Sequence, residues 1–171
     1  MALRNIREIG DEILTKKCRE VREMTPRLKE LVADMFETMY EAEGVGLAAP
    51  QVGVLRRVVL VLETNVDREN GEEEYMIELV NPEIIEQDGE QVGAEGCLSV
   101  PGDFGVVKRP KHVKVRAQDR NGEWFEVEGE GLTARAFCHE LDHLEGILFT
   151  EKAIRMLTPE ELENLGVTEE D

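Results

Sequence analysis

Two histidines four residues apart, in His139-Glu140-Leu141-Asp142-His143, constrain this chain more than any other stretch. On a helix, side chains at that spacing stand about 5–6 Å from one another on one face. Both rings can therefore grip one metal ion while Glu140 stands by to carry a proton, a pattern that points to metal-dependent hydrolysis. The flanks agree with a buried helix. Gly131 and Thr133 offer a start, Gly146 a stop, and Ala134, Ala136, Phe137, Leu141 and Leu144 an apolar face. A hydrolytic site usually needs three protein ligands, with one position left for water, so the fold has to bring a carboxylate or a thiolate to this helix from elsewhere.

At 171 residues and 41% hydrophobic, the chain fits one compact domain, residues 1–171, whose core needs no disulfide staples. No charged-then-apolar leader opens it, and no apolar run approaches the roughly 20 residues that span a bilayer. A cytoplasmic location without membrane contact is expected. The cysteines Cys18, Cys97 and Cys138 are odd in number and widely spaced, as free thiols or ligands would be. Thirty-eight acidic residues against 20 basic ones give a formal charge of -18, which repels phosphate backbones and argues against direct nucleic-acid binding. Much of the acid lies in Asp67–Glu74, Glu83–Glu95 and Glu160–Asp171, three stretches expected to be solvated surface.

Thr25-Pro26 resembles a helix start, and Leu28, Leu31, Val32, Met35 and Met39 repeat at helical spacing as far as a stop at Gly44. The methionines in that stripe are packing residues. Val58–Leu62 and Met76–Val80 are short apolar, β-rich runs around a polar tip containing Asn70-Gly71, which predicts a long-tipped hairpin. A second hairpin with one wet face follows from Val113, Val115 and Ala117, the turn at Asn121-Gly122, and Phe125 and Val127. Thr158-Pro159-Glu160-Glu161 predicts a short terminal helix. The expected class is α+β, with mostly antiparallel sheets packed around the histidine helix and helices near both ends.

His112 sits in a charged stretch leading into a strand and has the character of a surface residue. Cys97 lies instead in Glu95-Gly96-Cys97-Leu98-Ser99, between Gly93 and Gly96 on one side and Pro101-Gly102 on the other, where small residues let the backbone approach a ligand closely. With this segment beside Gly44-Val45-Gly46-Leu47-Ala48-Ala49-Pro50-Gln51, the chain resembles the peptide deformylases, which remove the N-terminal formyl group from nascent bacterial proteins. Three motifs stand in the family's order, G-x-G-x-A-A-x-Q, E-G-C-L-S and H-E-x-D-H, and the similarity runs from near the N-terminus through Phe149.

The resemblance implies that Cys97, His139 and His143 bind one divalent metal, with Fe2+ favoured and Zn2+, Ni2+ or Co2+ as other occupants, and that Glu140 is the general base and acid. It further implies that the Gln51 side-chain amide and the Leu98 backbone N–H stabilise the oxyanion. Gly44, Val45 and Gly46 would let an extended peptide lie alongside as an added strand, and Val45, Leu132 and Ala136 would wall an apolar pocket for the first side chain. The implied partner is an N-formylmethionyl nascent peptide, with transient proximity to the ribosome; nothing in the sequence points to an obligate interface, so a monomer is expected. Tight ribosome docking is not expected, because from Glu151 onward seven acidic residues face only Lys152 and Arg155.

The chain departs from the family's usual pattern at Cys138, where many members have glutamine, and at Gly10-Asp11-Glu12, where proline often follows Gly-Asp. Cys138 is expected to pack, since neighbouring helical positions point about 100° apart. An ion pair between Glu95 and Arg109 bracing the cysteine loop is expected from analogy and charge, with Asp142 as a supporting or helix-surface carboxylate. Two rival readings are an endoprotease built on the same helix and a noncatalytic metal-dependent binding module. Cys97 counts against the first, since such proteases take a third histidine or a glutamate, and Glu140 counts against the second.

Overall fold

The computed structural model describes residues 2–165. Residues 166–171 of the acidic stretch ending at Asp171 lie outside the described residues. In chain order come a 3-10 turn (Glu12–Thr15), α1 (Pro26–Glu41), β1 (Gly46–Ala48), a 3-10 turn (Ala49–Val52), β2 (Val58–Glu63) and a 3-10 turn (Arg68–Asn70). Then follow β3 (Tyr75–Asp88), β4 (Gln91–Cys97), β5 (Val100–Arg109), β6 (His112–Gln118), β7 (Trp124–Glu130), α2 (Leu132–Leu144), α3 (Phe149–Lys152), β8 (Arg155–Met156) and α4 (Pro159–Asn164). The strands form two antiparallel sheets, ordered β1-β2-β3-β6-β7 and β4-β5-β8, so the α+β expectation holds.

The larger sheet is covered on both faces, and β2 shows how the sequence arranges it. Side chains alternate along a strand. Val58 and Leu60 pack with Leu28, Leu31, Val32, Met35 and Met39 of α1, whereas Val59 and Val61 pack with Ala134, Phe137, Leu141 and Leu144 of α2. The methionine stripe is core, as expected. Thr25 caps α1, its hydroxyl accepting from Leu28 N–H at 3.2 Å, and Pro26 occupies the first turn. At the other end the left-handed residue is Glu43, φ 56°, rather than Gly44.

Both predicted hairpins form, as β2–β3 and β6–β7. β3, however, runs on past Val80 to Asp88 through Pro82. Pairing with β2 ends at Val80, which also faces Gln118 of β6; from Glu83 on β3 pairs with β6 alone, and the register shift between Val80 and Glu83 puts Pro82 where no ladder N–H is needed. The capped terminal helix appears as α4, with Thr158 and Glu161 forming the box.

The sequence carries little strand signal for β4 and β5, because Gly93, Gly96, Pro101, Gly102 and Gly105 weaken it. Two of these glycines are required by space: a Cβ on Gly96 would lie 2.5 Å from the Phe104 ring and one on Gly105 2.9 Å from Ala153 Cβ. Glu95 also corrects the expectation of solvated surface for Glu83–Glu95, being only 4% exposed inside the protein. At the departure near the N-terminus, Gly10 takes φ 104° and Asp11 caps the first 3-10 turn, its carboxylate accepting from Ile13 N–H. Among the described residues no helix is long and apolar enough to cross a membrane.

Candidate active site

α2 carries His139 and His143 on successive turns, with ring centroids 5.0 Å apart. Cys97 ends β4, where a register shift after Gly96 and the two-residue turn Leu98-Ser99 swing the chain into β5. The ligand-capable atoms of Cys97, His139 and His143 all lie within 4.8 Å of one another, and Cys97 Sγ is 3.4 Å from His143 Nε2. Tetrahedral bonds of about 2.3 Å to sulfur and 2.0–2.1 Å to nitrogen would put those two atoms about 3.5 Å apart. The residues present thus fit a divalent cation, and His139 is turned for it: Nδ1 meets Glu95 Oε2 at 2.8 Å, leaving Nε2 for the cluster.

Glu95 is held from several sides. Arg109 donates through Nε at 3.1 Å and Nη2 at 2.7 Å, and Arg135 donates through Nη1 at 3.0 Å to Oε1 and at 3.2 Å to the Val107 carbonyl. Arg109 Nη1 also reaches Asp142 at 2.7 Å, which accepts from Lys152 at 3.1 Å. Burial alone would raise the Glu95 pKa, but His139 and Arg109 hold it down at about 2, so it stays a carboxylate. The expected Glu95–Arg109 pair is therefore present, within a larger network.

Glu140 is 4% exposed, and its Oε1 has no hydrogen-bond partner among the described residues. Burial pushes its carboxyl up to about 7. For His143, burial and the neighbouring His139 push the ring well below the usual imidazole range and favour the neutral form, the one able to ligate a cation. Gln51 is 1% exposed, and its Oε1 accepts from Ala48 N–H at 2.9 Å. That bond aims Nε2 at the cysteine loop, 3.0 Å from Ser99 Oγ and 3.5 Å from Cys97 Sγ. The N-terminal segment straps both loops, with Arg7 N–H donating to the Gln51 carbonyl at 2.7 Å and Ile9 N–H to the Ser99 carbonyl at 2.8 Å.

Comparison with known proteins decides the family. The polypeptide deformylase family model matches residues 3–158. The chain belongs to the polypeptide deformylase family. A peptide deformylase of Lachnoclostridium phytofermentans is 59% identical over 152 residues, 89% of this chain and 90% of the relative. Another, of Thermoanaerobacter pseudethanolicus, is 54% identical over 96% of this chain and 98% of its own. The crystal structure of the Thermotoga maritima peptide deformylase aligns with TM-score 0.78 at 41% identity, covering 88% of this chain and 97% of that one. An Acinetobacter baumannii peptide deformylase solved with Met-Ala-Ser bound aligns with TM-score 0.80 at 38% identity, covering 88% and 98%.

The deformylase motifs meet in space. Gly46 lies against Glu140 and Gly44 against the Leu98 side chain, so the first motif touches both others. Val45 is 39% exposed, Leu132 opens α2 at 51% exposed, and Ala136, one turn before Glu140, is buried. His112 stands apart, 3.3 Å from Asp88 and 3.6 Å from Glu128, outside the ligand group. Cys138 is buried, as expected, and burial raises its thiol to about 11. The sequence reading missed Ser99 and Arg135. For Arg135 a signal existed, since an arginine amid Ala134, Ala136 and Phe137 on a buried helix requires an anion.

Proposed function

We propose that residues 1–171 act as one metallohydrolase domain that removes the formyl group from N-terminal formyl-methionine through the residues converging on α2. The chain removes the N-formyl group from nascent peptides, as its family does. The observation that carries the residue-level reading is the meeting of Cys97 Sγ with the rings of His139 and His143, next to the buried Glu140 carboxyl.

Cys97, His139 and His143 would hold one divalent cation, Fe2+ by resemblance, with Zn2+, Ni2+ or Co2+ as substitutes. When bound, such a cation supplies Lewis acidity toward the formyl oxygen and toward water. Glu140 takes the proton of the attacking water and delivers it to the departing amine, a task suited to a buried carboxyl whose Oε1 has no other hydrogen-bond partner among the described residues. The Gln51 amide and the Leu98 backbone N–H donate to the oxyanion that develops on the formyl oxygen. Glu95, with Arg109 and Arg135 behind it, fixes the His139 ring. Formate and a free amino terminus result.

β1 is an edge strand of the larger sheet, which supports docking of an extended peptide along Gly44, Val45 and Gly46. Backbone pairing accepts nearly any sequence, so selectivity rests on a pocket for methionine walled by Val45, Leu132 and Ala136. The Met-Ala-Ser ligand of the Acinetobacter relative supports a peptide that begins with methionine. The proposed setting is a cytoplasmic monomer in weak, salt-sensitive proximity to the ribosome.

The test compares formate release from formyl-Met-Ala-Ser with cleavage of an internally quenched peptide, before and after metal removal. Formate release without backbone cleavage, abolished by chelation and restored by Fe2+ added anaerobically, is expected. Glu140→Gln should retain metal and lose about 10²–10⁴ in kcat. Full activity after complete metal depletion would sink the reading.

A further inference from the structure

Gly46 has ordinary strand backbone and is not among the glycines with positive φ, so conformation does not require a glycine there. Space does. A Cβ at position 46 would stand 2.4 Å from Glu140 Oε2 and 2.9 Å from its Cδ and Cγ. β1 has no room to retreat, because Gly46, Leu47 and Ala48 are registered against Val61, Leu60 and Val59, and Leu47 and Ala48 are fully buried in the cores on opposite faces. Glu140 projects from α2, packed on that same sheet, and no described residue hydrogen-bonds its Oε1. The strand backbone therefore forms a wall against which the carboxyl rests.

We propose that Gly46 is a positioning residue for Glu140: its missing side chain is the recess that holds the carboxyl, so β1 sets where the proton carrier stands. The inference rests on the reading of Glu140 as that carrier. It separates two consequences that usually travel together. The atoms in the way of an added methyl, Oε2, Cδ and Cγ of Glu140, belong to a side chain rather than to backbone, so Gly46→Ala keeps its fold and its metal donors while the carboxyl swings away by about 1 Å. Misplacement on that scale costs about 10²-fold in rate.

The experiment measures formate release from formyl-Met-Ala-Ser by metal-loaded wild type, Gly46→Ala, Glu140→Asp, the double variant and Glu140→Gln, with metal-to-protein ratio and thermal melting for each. Gly46→Ala should lose about 10²-fold in kcat, keep KM within about threefold, and match wild type in metal content and cooperative melting. In the Glu140→Asp background the same change should cost less than about threefold, because a carboxyl one methylene shorter clears the new methyl. The inference is overturned if the loss falls on KM, if Gly46→Ala loses its metal or its fold, or if the two substitutions multiply. Glu140→Gln separates the two levels. Wild-type turnover there removes Glu140 as proton carrier, whereas an inactive Glu140→Gln beside an unimpaired Gly46→Ala removes only the positioning role.

Discussion

α1 and α2 cover opposite faces of one sheet, and their buried sides differ in kind. α1 buries Leu28, Leu31, Val32, Met35 and Met39, and its two buried polar groups, Asp34 and Thr38, serve only to anchor the N-terminal strap. α2 buries Arg135, His139, Glu140 and His143 among its apolar residues. Charges in a core are costly unless each finds a partner, and breaking one such pair costs more than the pair itself contributes. The α1 face can thus be tuned for stability alone. The α2 face ties stability and the proposed chemistry to the same atoms, because Glu95 both neutralises two arginines and orients His139.

The largest effect should come from breaking that tie. Glu95→Leu leaves Arg109 and Arg135 without their shared anion and frees His139 Nδ1, so unfolding of the metal-free protein in urea should show a loss of about 3–5 kcal/mol. Metal affinity, measured by chelator competition, should fall about 10–100-fold. A change in only one of the two would show that the network is divisible and blunt the contrast between the faces. On the other face, Met35→Ala opens a cavity at a fully buried site and should cost about 2–5 kcal/mol while kcat well below the melting temperature stays within about twofold. Equal damage to kcat would mean that α1 reaches the site through the sheet.

Legibility followed the same division. α1, the β2–β3 and β6–β7 hairpins and α2 were readable because caps, turn pairs and apolar periodicity are local signals. The course of β3 through Pro82 was not, since a bulge belongs to the pairing of two strands and Pro82 by itself looks like an end. Glu95 looked like one more member of an acidic run. What distinguishes it are partners 14, 40 and 44 residues away, Arg109, Arg135 and His139, and no local pattern encodes those distances. The histidine helix is legible from spacing together with its apolar flanks, whereas a third donor stays open between thiolate and carboxylate until the resemblance carried by three motifs in order points to Cys97. The steric reason for Gly46 could not be read at all, because sequence shows a small residue without showing what fills the space.

The smallest effect concerns the strap that joins the two faces. At its first end Ala2 N–H donates to Asp34 Oδ1 at 2.7 Å, Arg4 Nε donates to Asp34 Oδ2 at 2.9 Å and Arg4 N–H donates to Thr38 Oγ1 at 2.9 Å. At its second end Arg7 and Ile9 hold, in the two candidate-site loops, the carbonyl oxygens of Gln51 and Ser99, which do not titrate. The Ala2 N–H, aided by Arg4 and opposed by burial, lowers the Asp34 carboxyl below its ordinary 3.8. A carboxyl whose folded pKa is depressed contributes stability that is complete above the unfolded value and lost as pH falls through the folded one. Hydrogen exchange of the metal-free protein, corrected for intrinsic rates, should therefore show residues 2–5 losing protection as pH drops below 3.8 while residues 7–9 keep theirs. Asp34→Asn should remove the pH step and leave the second end unchanged. Simultaneous release of both ends would show that the strap detaches as a unit, so that the α1 face and the active-site loops are coupled through it.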